Sequence, residues 1–542
     1  MTGDTLYYGD NFEVMRQHLA DESVDLVYLD PPFNSARDYN VLFKQAKRDE
    51  NQAQITAFTD TWQWSKKRYE EFFEEPRHAP LFDLMESLFR ILSTSEMMAY
   101  QLMMAPRLLE LRRVLKSTGS LYLHCDPIAS HYFKMLLDAA FGPRSFRNEI
   151  IWKRTTSHGN VINKFGCIHD VLLWYAKGDE WKWNQQYTQY DQEYVDKTYR
   201  FAEAGTGRRY TLDNITAPMS RASKGQIYEW KGYRPGPSRC WIYAKEKMEQ
   251  LDKAGRLYYT KTGGVRYIRY LDEMPGVRVQ DIWMDIPIAA RNESLGYPTQ
   301  KPLALLERII SASSEAGDVV LDPFCGCGTA VVAAEKLGRK WIGIDVTFVA
   351  IDLIVSRLAR DFGLKRGEDY EVIGDPKDAY SASKLFQQSP KQFEIWAVGL
   401  VEGVPQPDKA ADRGVDGKVY FQDLDGKLQW AVCQVKGGHL TPNLIRDFAH
   451  VIEREKAAMG FFMCLETPSK GMYREADEAG FFTAPSGRKI PRLQIRTIHE
   501  LLDERKDFDF PVGYSLKSGA GKRLAREGEQ QALDLSDVQG TA

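Results

Sequence analysis

"DVVLDPFCGCGTAVVAAEKLGRKWIGIDV", residues 318–346, is the stretch on which the fold turns. A short apolar run, Val319–Leu321, ends in Asp322, Pro323 and Phe324, and a Cys-Gly-Cys-Gly-Thr turn then leads into helical spacing. Gly326 and Gly328 let the backbone turn tightly and approach a ligand at a helix N-terminus, where unpaired N–H groups gather. A second strand, "KWIGID", ends in Asp345, sixteen residues after Thr329. An acid there stands where dinucleotide folds accept hydrogen bonds from ribose hydroxyls. Strand, turn, helix, strand and acid in that order predict an α/β domain with a parallel sheet.

The same stretch narrows the ligand. No Lys-Ser/Thr follows Gly328, which excludes a P-loop, and Val331 stands where a pyrophosphate fingerprint needs a third glycine. A nucleoside cofactor without a pyrophosphate fits better, and S-adenosylmethionine is the candidate. Cys325 and Cys327 have no second Cys/His pair at metal-site spacing.

A second rigid turn, "VYLDPPFN" (27–34), ends an apolar run nearly three hundred residues earlier. Two prolines fix φ and remove two backbone donors, so they stop a strand. They also hold Asp30 and Phe33 as a stiff platform for a planar substrate. An exocyclic amine on a nucleobase is a poor nucleophile, because its lone pair is delocalised into the ring. A carboxylate accepting one N–H and a backbone carbonyl accepting the other would localise that lone pair. Phe33 would stack on the base, which must be flipped out of a duplex to arrive there.

Bulk numbers set the frame. A chain of 542 residues predicts two to four domains, and 43% hydrophobic with 27% charged residues fits a soluble globular protein. No apolar run reaches membrane-span length, and "MTGDTLYYGDNFEVM" does not resemble a signal peptide. Seven scattered cysteines suit free thiols in a reducing cytoplasm. The net charge of −3 excludes a globally polycationic nucleic-acid coat but leaves room for local basic surfaces.

Along the chain, 23–30 and 119–126 read as strands, Pro80–Lys116 as a long helical stretch, and 127–142 as a helix closed by Gly142. From Ile151 to Ala290 the alternation fades and tryptophan, tyrosine, arginine and lysine crowd together. That texture suits phosphate contacts with base stacking, and it equally suits an irregular β-rich domain with an aromatic core.

Asp-Pro-Pro-Phe with a downstream Phe-x-Gly-x-Gly resembles the amino-methylating DNA methyltransferases. Catalytic motif first and cofactor loop last resembles their β class, a circular permutation with the target-recognition region between. "YYGDNFEVM", "GSLYLHCDPIASHYFKMLLDAAFG", "RNEIIWKR" and "GYPTQKPLALLERII" agree, so the resemblance covers about residues 5–360. It implies a target-base site of Asp30, Pro31, Pro32 and Phe33. Asp322, Phe324, Gly326, Gly328 and Thr329 would form the cofactor loop, and Asp345 would take the ribose hydroxyls. Asp10 would lie near the cofactor's adenine, and Thr299, Gln300 and Lys301 would seat its methionine end. Asp at position 30 is similar to the adenine-N6 enzymes, whereas cytosine-N4 enzymes more often have Ser. Cys125 lacks the Pro-Cys context of a cytosine-C5 nucleophile and reads as structural.

Downstream, Asp416 follows a glycine turn, and Gln434 and Lys436 share one face of the strand "QWAVCQVK". A carboxylate, an oxygen ligand and a lysine suit Mg²⁺-assisted phosphodiester cleavage. The pattern resembles the PD-(D/E)xK nucleases of Mrr type, with Glu394 or Glu402 as a further metal-site acid and Glu394 fitting the first helix better. The organisation expected is a permuted Rossmann-like methyltransferase domain with an inserted recognition region, followed by a nuclease-like α/β domain. The spans are 1–150 (catalytic half), 151–290 (recognition), 291–375 (cofactor half), 385–512 (nuclease-like) and 513–542 (a polar tail read as disordered).

The function implied is site-specific adenine-N6 methylation of double-stranded DNA, within restriction–modification and with a fused Mg²⁺-dependent endonuclease. The alternative is a lone adenine-N6 or cytosine-N4 methyltransferase whose C-terminal domain only binds DNA or a partner. A cytoplasmic location, no membrane partner, a homodimer, and sliding-clamp docking through "QQALDL" (530–535) complete the expectations.

Overall fold

Nine strands form the main sheet of the computed structural model: β1 (Thr5–Tyr8), β2 (Val24–Leu29), β3 (Leu115–Cys125), β4 (Phe146–Lys153), β5 (His169–Ala176), β6 (Ile282–Trp283), β7 (Val319–Asp322), β8 (Lys340–Asp345) and β9 (Glu371–Ile373). Their order is β6-β4-β5-β3-β2-β7-β8-β1-β9. Only β5 runs antiparallel, between β3 and β4. The structure describes residues 4–509 except 33–37, 44–52, 60–63, 157–162, 164, 224, 291–292, 294, 296–298, 402, 407–413, 423–427 and 485–486. Phe33, Glu402 and the tail with its clamp-like peptide therefore lie outside the described residues.

Strand β2 is apolar along nearly all its length and buried at all six positions, as expected of a parallel strand covered on both faces. Its exception is Asp25, a buried carboxylate that accepts from Lys116 at 2.7 Å, from Lys182 at 3.0 Å and from the Val319 N–H at 3.0 Å. Burial pushes its pKa up, and these three donors outweigh that and hold it below the usual carboxylate range. Asp25 thereby fastens β2 to the foot of β7.

The helix Ala129–Phe141 closes at Gly142 (φ +91°) as its sequence predicts. The stretch read as one helix over Pro80–Lys116 is instead two, Phe82–Leu92 and Glu96–Val114, preceded by a 3₁₀ turn at Pro76–Leu81. Ser93 (φ +51°) breaks it, and Ser95 restarts it by accepting the Met98 N–H. Lys116 already belongs to β3. β1 lies between β8 and β9, so this strand, from the span read as 1–150, completes the part of the sheet built from residues 319–373 and not the part around β2 and β3.

Within the span read as 151–290, residues 169–176 and 282–283 are strands of the main sheet. Residues Gln185–Gln280 form a separate compact unit. That unit holds a four-stranded sheet in the order Leu257–Tyr259, Val265–Tyr270, Arg209–Asn214, Phe201–Ala202. Its core gathers Ile215, Trp230, Trp241, Met248, Leu257 and Val265. Trp152, Trp174, Trp230, Trp241 and Trp283 are all buried, while Trp181 and Trp183 are exposed. The aromatic crowding of this span is mostly core.

The C-terminal part is a five-stranded sheet in the order Val404–Pro405, Gly417–Gln422, Leu428–Lys436, Met459–Cys464, Leu493–Thr497. The first three strands run antiparallel and the last two join in parallel. The helix Phe348–Phe362, which follows β8, meets the helix Pro390–Leu400 of this part. Phe348 packs so tightly on Gly399 that a Cβ there would stand 2.3 Å from the ring. Among the described residues no helix is long and apolar enough to cross a membrane.

Asp25→Ala is expected to cost about 3 kcal/mol, because it takes the acceptor from Lys116 and the Val319 N–H at the β2–β7 junction and leaves Lys182 with Asp318 alone. The depressed pKa means this stability is present above the ordinary carboxylate range and lost as pH falls through the lowered value. Urea unfolding of wild type and variant at a series of pH values checks this, and the two stabilities should converge on acidification.

Candidate functional site

Parallel pairing of Leu26 with Val320 and of Val27 with Leu321 sets the ends of β2 and β7 side by side. Asp30 and Asp322 therefore emerge next to each other, at the carboxyl edge where open α/β sheets bind ligands. A cavity of about 600 Å³ opens there. Asp30, Pro31 and Pro32 line one part of it; Asp322, Phe324, Gly326 and Thr329 line another. Asp10, Thr299, Lys301 and Asp345 also reach it.

On the glycine-loop side, Gly326 (φ +49°) and Gly328 (φ +75°) both take left-handed backbone. A Cβ on Gly328 would stand 2.6 Å from Ile354, so this glycine serves close packing of the loop on the helix Phe348–Phe362. Gly326 instead offers its N–H to Asp345 at 2.9 Å. Asp345 also accepts from the Thr347 N–H and hydroxyl at 2.9 and 2.8 Å. Burial raises its pKa, and those donors offset part of the rise. Asp322 accepts the Phe324 N–H at 3.1 Å and is buried. Burial first, and then the charges of Asp30 and Asp345, push its pKa well above the carboxylate range.

Asp10 caps the helix Asn11–His18 by accepting the Phe12 N–H, and it pairs with Arg107 at 2.6 Å. Asn11 donates to the Pro323 carbonyl at 2.7 Å and accepts from Arg107 at 2.5 Å. Asn11 and Arg107, which sequence reasoning missed, thus tie the β1 turn to the glycine loop. The signal for Asn11 was present in "YGDN", whereas Arg107 sits in a helix with nothing local to mark it.

On the Asp30 side, Lys301 forms an ion pair with Asp30 Oδ2. The Thr299-Gln300-Lys301 motif therefore divides. Thr299 and Lys301 face the cavity, but Gln300 spends its amide on the Leu295 N–H and the Glu293 carbonyl. The Tyr100 hydroxyl donates to the Pro31 carbonyl at 3.4 Å. Tyr28 lines the cavity and bonds to buried His124. Cys125 is buried, and burial holds its thiol well above its usual pKa, so it is no nucleophile. Cys325 and Cys327 are buried free thiols.

In the C-terminal sheet, Asp416 is buried and accepts the Val435 N–H at 2.7 Å. This seats it against the strand that carries Gln434 and Lys436. Gln434 is buried, donates to the Gly414 carbonyl at 3.4 Å, and leaves its Oε1 without a hydrogen-bond partner. Glu394 comes from the helix Pro390–Leu400. Its pKa is raised by burial and then by the charge of Asp416, against the pull of Lys391 and Lys436. Electrostatics thus couple Glu394 to Asp416 and Lys436. Among the described residues no group of three or more His, Cys, Asp or Glu is gathered as for a metal ion.

A mostly parallel sheet, a glycine loop on a helix N-terminus and a rigid Asp-Pro-Pro turn around one cavity define an α/β scaffold with its ligand site at the carboxyl edge of the sheet. The family model described as DNA methylase (N6/N4) matches residues 24–356, and the chain belongs to that family. The type II methyltransferase M.EcaI of Enterobacter cloacae is 36% identical over 265 residues, 48% of this chain and 58% of that protein. The Mod subunit of the type III restriction-modification enzyme StyLTI of Salmonella typhimurium is 26% identical over 354 residues, 61% of this chain and 50% of its own. The chain thus spans roughly half of the curated relatives it matches. Among solved structures, the cytosine-N4-specific PvuII DNA methyltransferase gives 14% identity and a TM-score of 0.31, over 68% of this chain and 96% of its own. The M1.HpyAVI–SAM complex gives 16% and 0.31, over 65% and 98%.

Asp322→Asn is expected to leave Tm unchanged or raised, since it keeps an acceptor for the Phe324 N–H and removes a charge that the site disfavours. Asp322→Ala is expected to lose about 1–3 kcal/mol by orphaning that N–H. Thermal unfolding of both variants checks the contrast.

Proposed function

We infer that this chain transfers a methyl group from S-adenosylmethionine to the N6 amine of a flipped-out adenine in double-stranded DNA, in a restriction–modification setting. The observation that carries the reading is the adjacency of the Asp-Pro-Pro turn and the glycine loop on one cavity. The residues present fit the cofactor. Among the side chains that line the cavity, Asp10, Asp30, Glu71, Asp322 and Asp345 outnumber Arg68, Arg107 and Lys301, which favours a cation. Phe324, Gly326 and Thr329 would hold the methionine part, Asp345 the ribose through its remaining acceptor capacity, and Asp10 would lie toward the adenine. Bound S-adenosylmethionine supplies a methyl carbon that is already electrophilic on sulfonium.

The chain's own work is to aim the amine. Lys301 holds Asp30 Oδ2, and Oδ1 accepts one N–H of the amine. The Pro31 carbonyl, steadied by Tyr100, accepts the other. The prolines keep this pair from relaxing, which is where oriented acceptors gain over water. Phe33 would supply the stacking face. Asp rather than Ser at position 30 favours adenine over cytosine-N4. The unit 185–280 would carry target recognition.

Expression in a methylation-free bacterium followed by sequencing of its DNA for modified bases tests the reading. N6-methyladenine at one motif is expected, lost by roughly a hundredfold or more in rate with Asp30→Ala. N4-methylcytosine overturns the base assignment, and no modification overturns the activity.

A second activity, Mg²⁺-dependent DNA cleavage, is supported by the unpartnered Gln434 Oε1, on the strand that carries Lys436, and by the electrostatic influence of Asp416 and Lys436 on Glu394. Glu394, Asp416 and Gln434 would hold the ion through oxygens, and Lys436 would orient the attacking water. Asp416→Ala and Lys436→Ala should each abolish Mg²⁺-dependent nicking of plasmid DNA while methylation survives. Cleavage that persists in both variants, or is absent from the wild type, leaves a domain that binds DNA or a partner only.

A further inference from the structure

The unit Gln185–Gln280 carries seventeen lysines and arginines against eleven acids, although the whole chain holds 72 against 75. Its positive charge is therefore local, which is the electrostatic footprint of a nucleic-acid surface. Half of its ten arginines are spent internally: Arg208, Arg209, Arg234, Arg256 and Arg269 each pair with an acid of the same unit. Arg266 enters no ion pair among the described residues.

Strand register places Arg266. On the strand Val265–Tyr270 it is opposed antiparallel to Tyr258 on one side and to Asn214 on the other. Directly opposed residues share a face, so Tyr258, Arg266 and Asn214 form one row across three strands. All three are exposed. Their chain neighbours Leu257 and Val265 are buried in the core of the unit, with Tyr267 packed against it, and alternation puts those on the opposite face. Asp213, the acid next to the row in sequence, is opposed to Tyr267 and pairs with Arg269 at 3.1 Å. The row thus stands on the solvent face of its sheet with no acid in it.

What the row offers is hydrogen-bond donors. A guanidinium has five N–H groups and no acceptor. Asn214 Oδ1 accepts from the Thr216 N–H at 3.2 Å and from the Thr216 hydroxyl at 2.9 Å. Those two bonds use both lone pairs and fix the amide plane, so its NH₂ is what Asn214 has left to give. Guanine is the base whose major-groove edge presents two acceptors, N7 and O6, and no donor; adenine and cytosine present an amino group there, and thymine a methyl group. Arg266 also lies one residue pair behind the turn of the hairpin 257–270, and the major groove, about 12 Å wide, admits a two-stranded ribbon of this kind.

We propose that Arg266 reads a guanine of the target site through N7 and O6 in the major groove, with Asn214 donating to an acceptor beside it. This assignment rests on the reading of residues 185–280 as the recognition unit, and it adds to that reading a residue and a base.

Full-length wild type and Arg266→Ala, each expressed in a methylation-free bacterium, are compared by sequencing the DNA for modified bases. The wild-type motif is expected to contain a guanine, and in Arg266→Ala one guanine position becomes degenerate while the other positions hold. On duplex oligonucleotides, discrimination at that position, read as a ratio of kcat/KM values, should fall about 5- to 150-fold, the worth of one bidentate pair. Arg266 is exposed, so Tm should stay where it is. A motif without guanine, an unchanged motif in Arg266→Ala, or an equal loss on every sequence, the mark of a phosphate contact, overturns the assignment.

Selection by the full-length protein from a random-sequence duplex pool reads the same preference without methyl transfer. The wild type should enrich one guanine that Arg266→Ala no longer enriches, and a wild type that enriches none overturns the assignment. Failure of the methylation reading looks different: a wild type that modifies no DNA yet enriches the Arg266-dependent guanine is no methyltransferase and still makes this base contact.

Discussion

The parallel pairing of β2 with β7 is the constraint on which the rest depends. Two segments nearly three hundred residues apart in the chain lie side by side for a few residues, and each then ends in Asp-Pro. Asp25 fastens the foot of this junction through the Val319 N–H, and Asn11 fastens its mouth through the Pro323 carbonyl. Shifting the register by one residue would reverse every side chain of β2, sending Asp30 to the opposite face from the glycine loop. The site therefore inherits its geometry from a handful of backbone hydrogen bonds.

That adjacency carries an electrostatic cost. Asp30, Asp322 and Asp345 crowd the carboxyl edge of the sheet, and the cost is visible at Asp322, whose pKa is raised by burial and then by the charges of the other two, while burial alone raises that of Asp345. Lys301 offsets part of it by pairing with Asp30. Asp345 is offset by the Thr347 N–H and hydroxyl and by the Gly326 N–H of the glycine loop, and Asp322 by the Phe324 N–H. The cavity thus distributes one lysine and a set of backbone dipoles over three acids.

What the sequence made legible was what local chemistry encodes. The glycine loop and the Asp-Pro-Pro turn could be read because glycine and proline restrict the backbone wherever they stand, and Gly142 ended its helix for the same reason. Pairings set by strand order could not be read. Lys301 reaches Asp30, Arg107 reaches Asp10, and hydrogen bonds link Tyr28, His124 and Asp170 across three strands, none with a local marker. Residues 151–290 read as one span because tryptophan looks the same in sequence whether it packs a sheet, as Trp152 and Trp174 do, or the core of a separate unit, as Trp230 and Trp241 do. Ser93 hid a helix break, since a serine in an otherwise helical pattern carries only a weak signal of left-handed backbone.

The placement of β1 bears on how the molecule is made. Thr5–Tyr8 leaves the ribosome well before its partners, since it pairs with residues 342–345 on one side and 371–373 on the other. At ordinary rates of elongation, tens of seconds separate the synthesis of this strand from that of its neighbours. Until then the half-built sheet has an open edge at β2, which waits for β7, and a detached strand with no edge to join. For the nascent chain the order of the motifs is thus an order of waiting, in which the part of the sheet around β2 must persist unsealed until the part around β7 is translated.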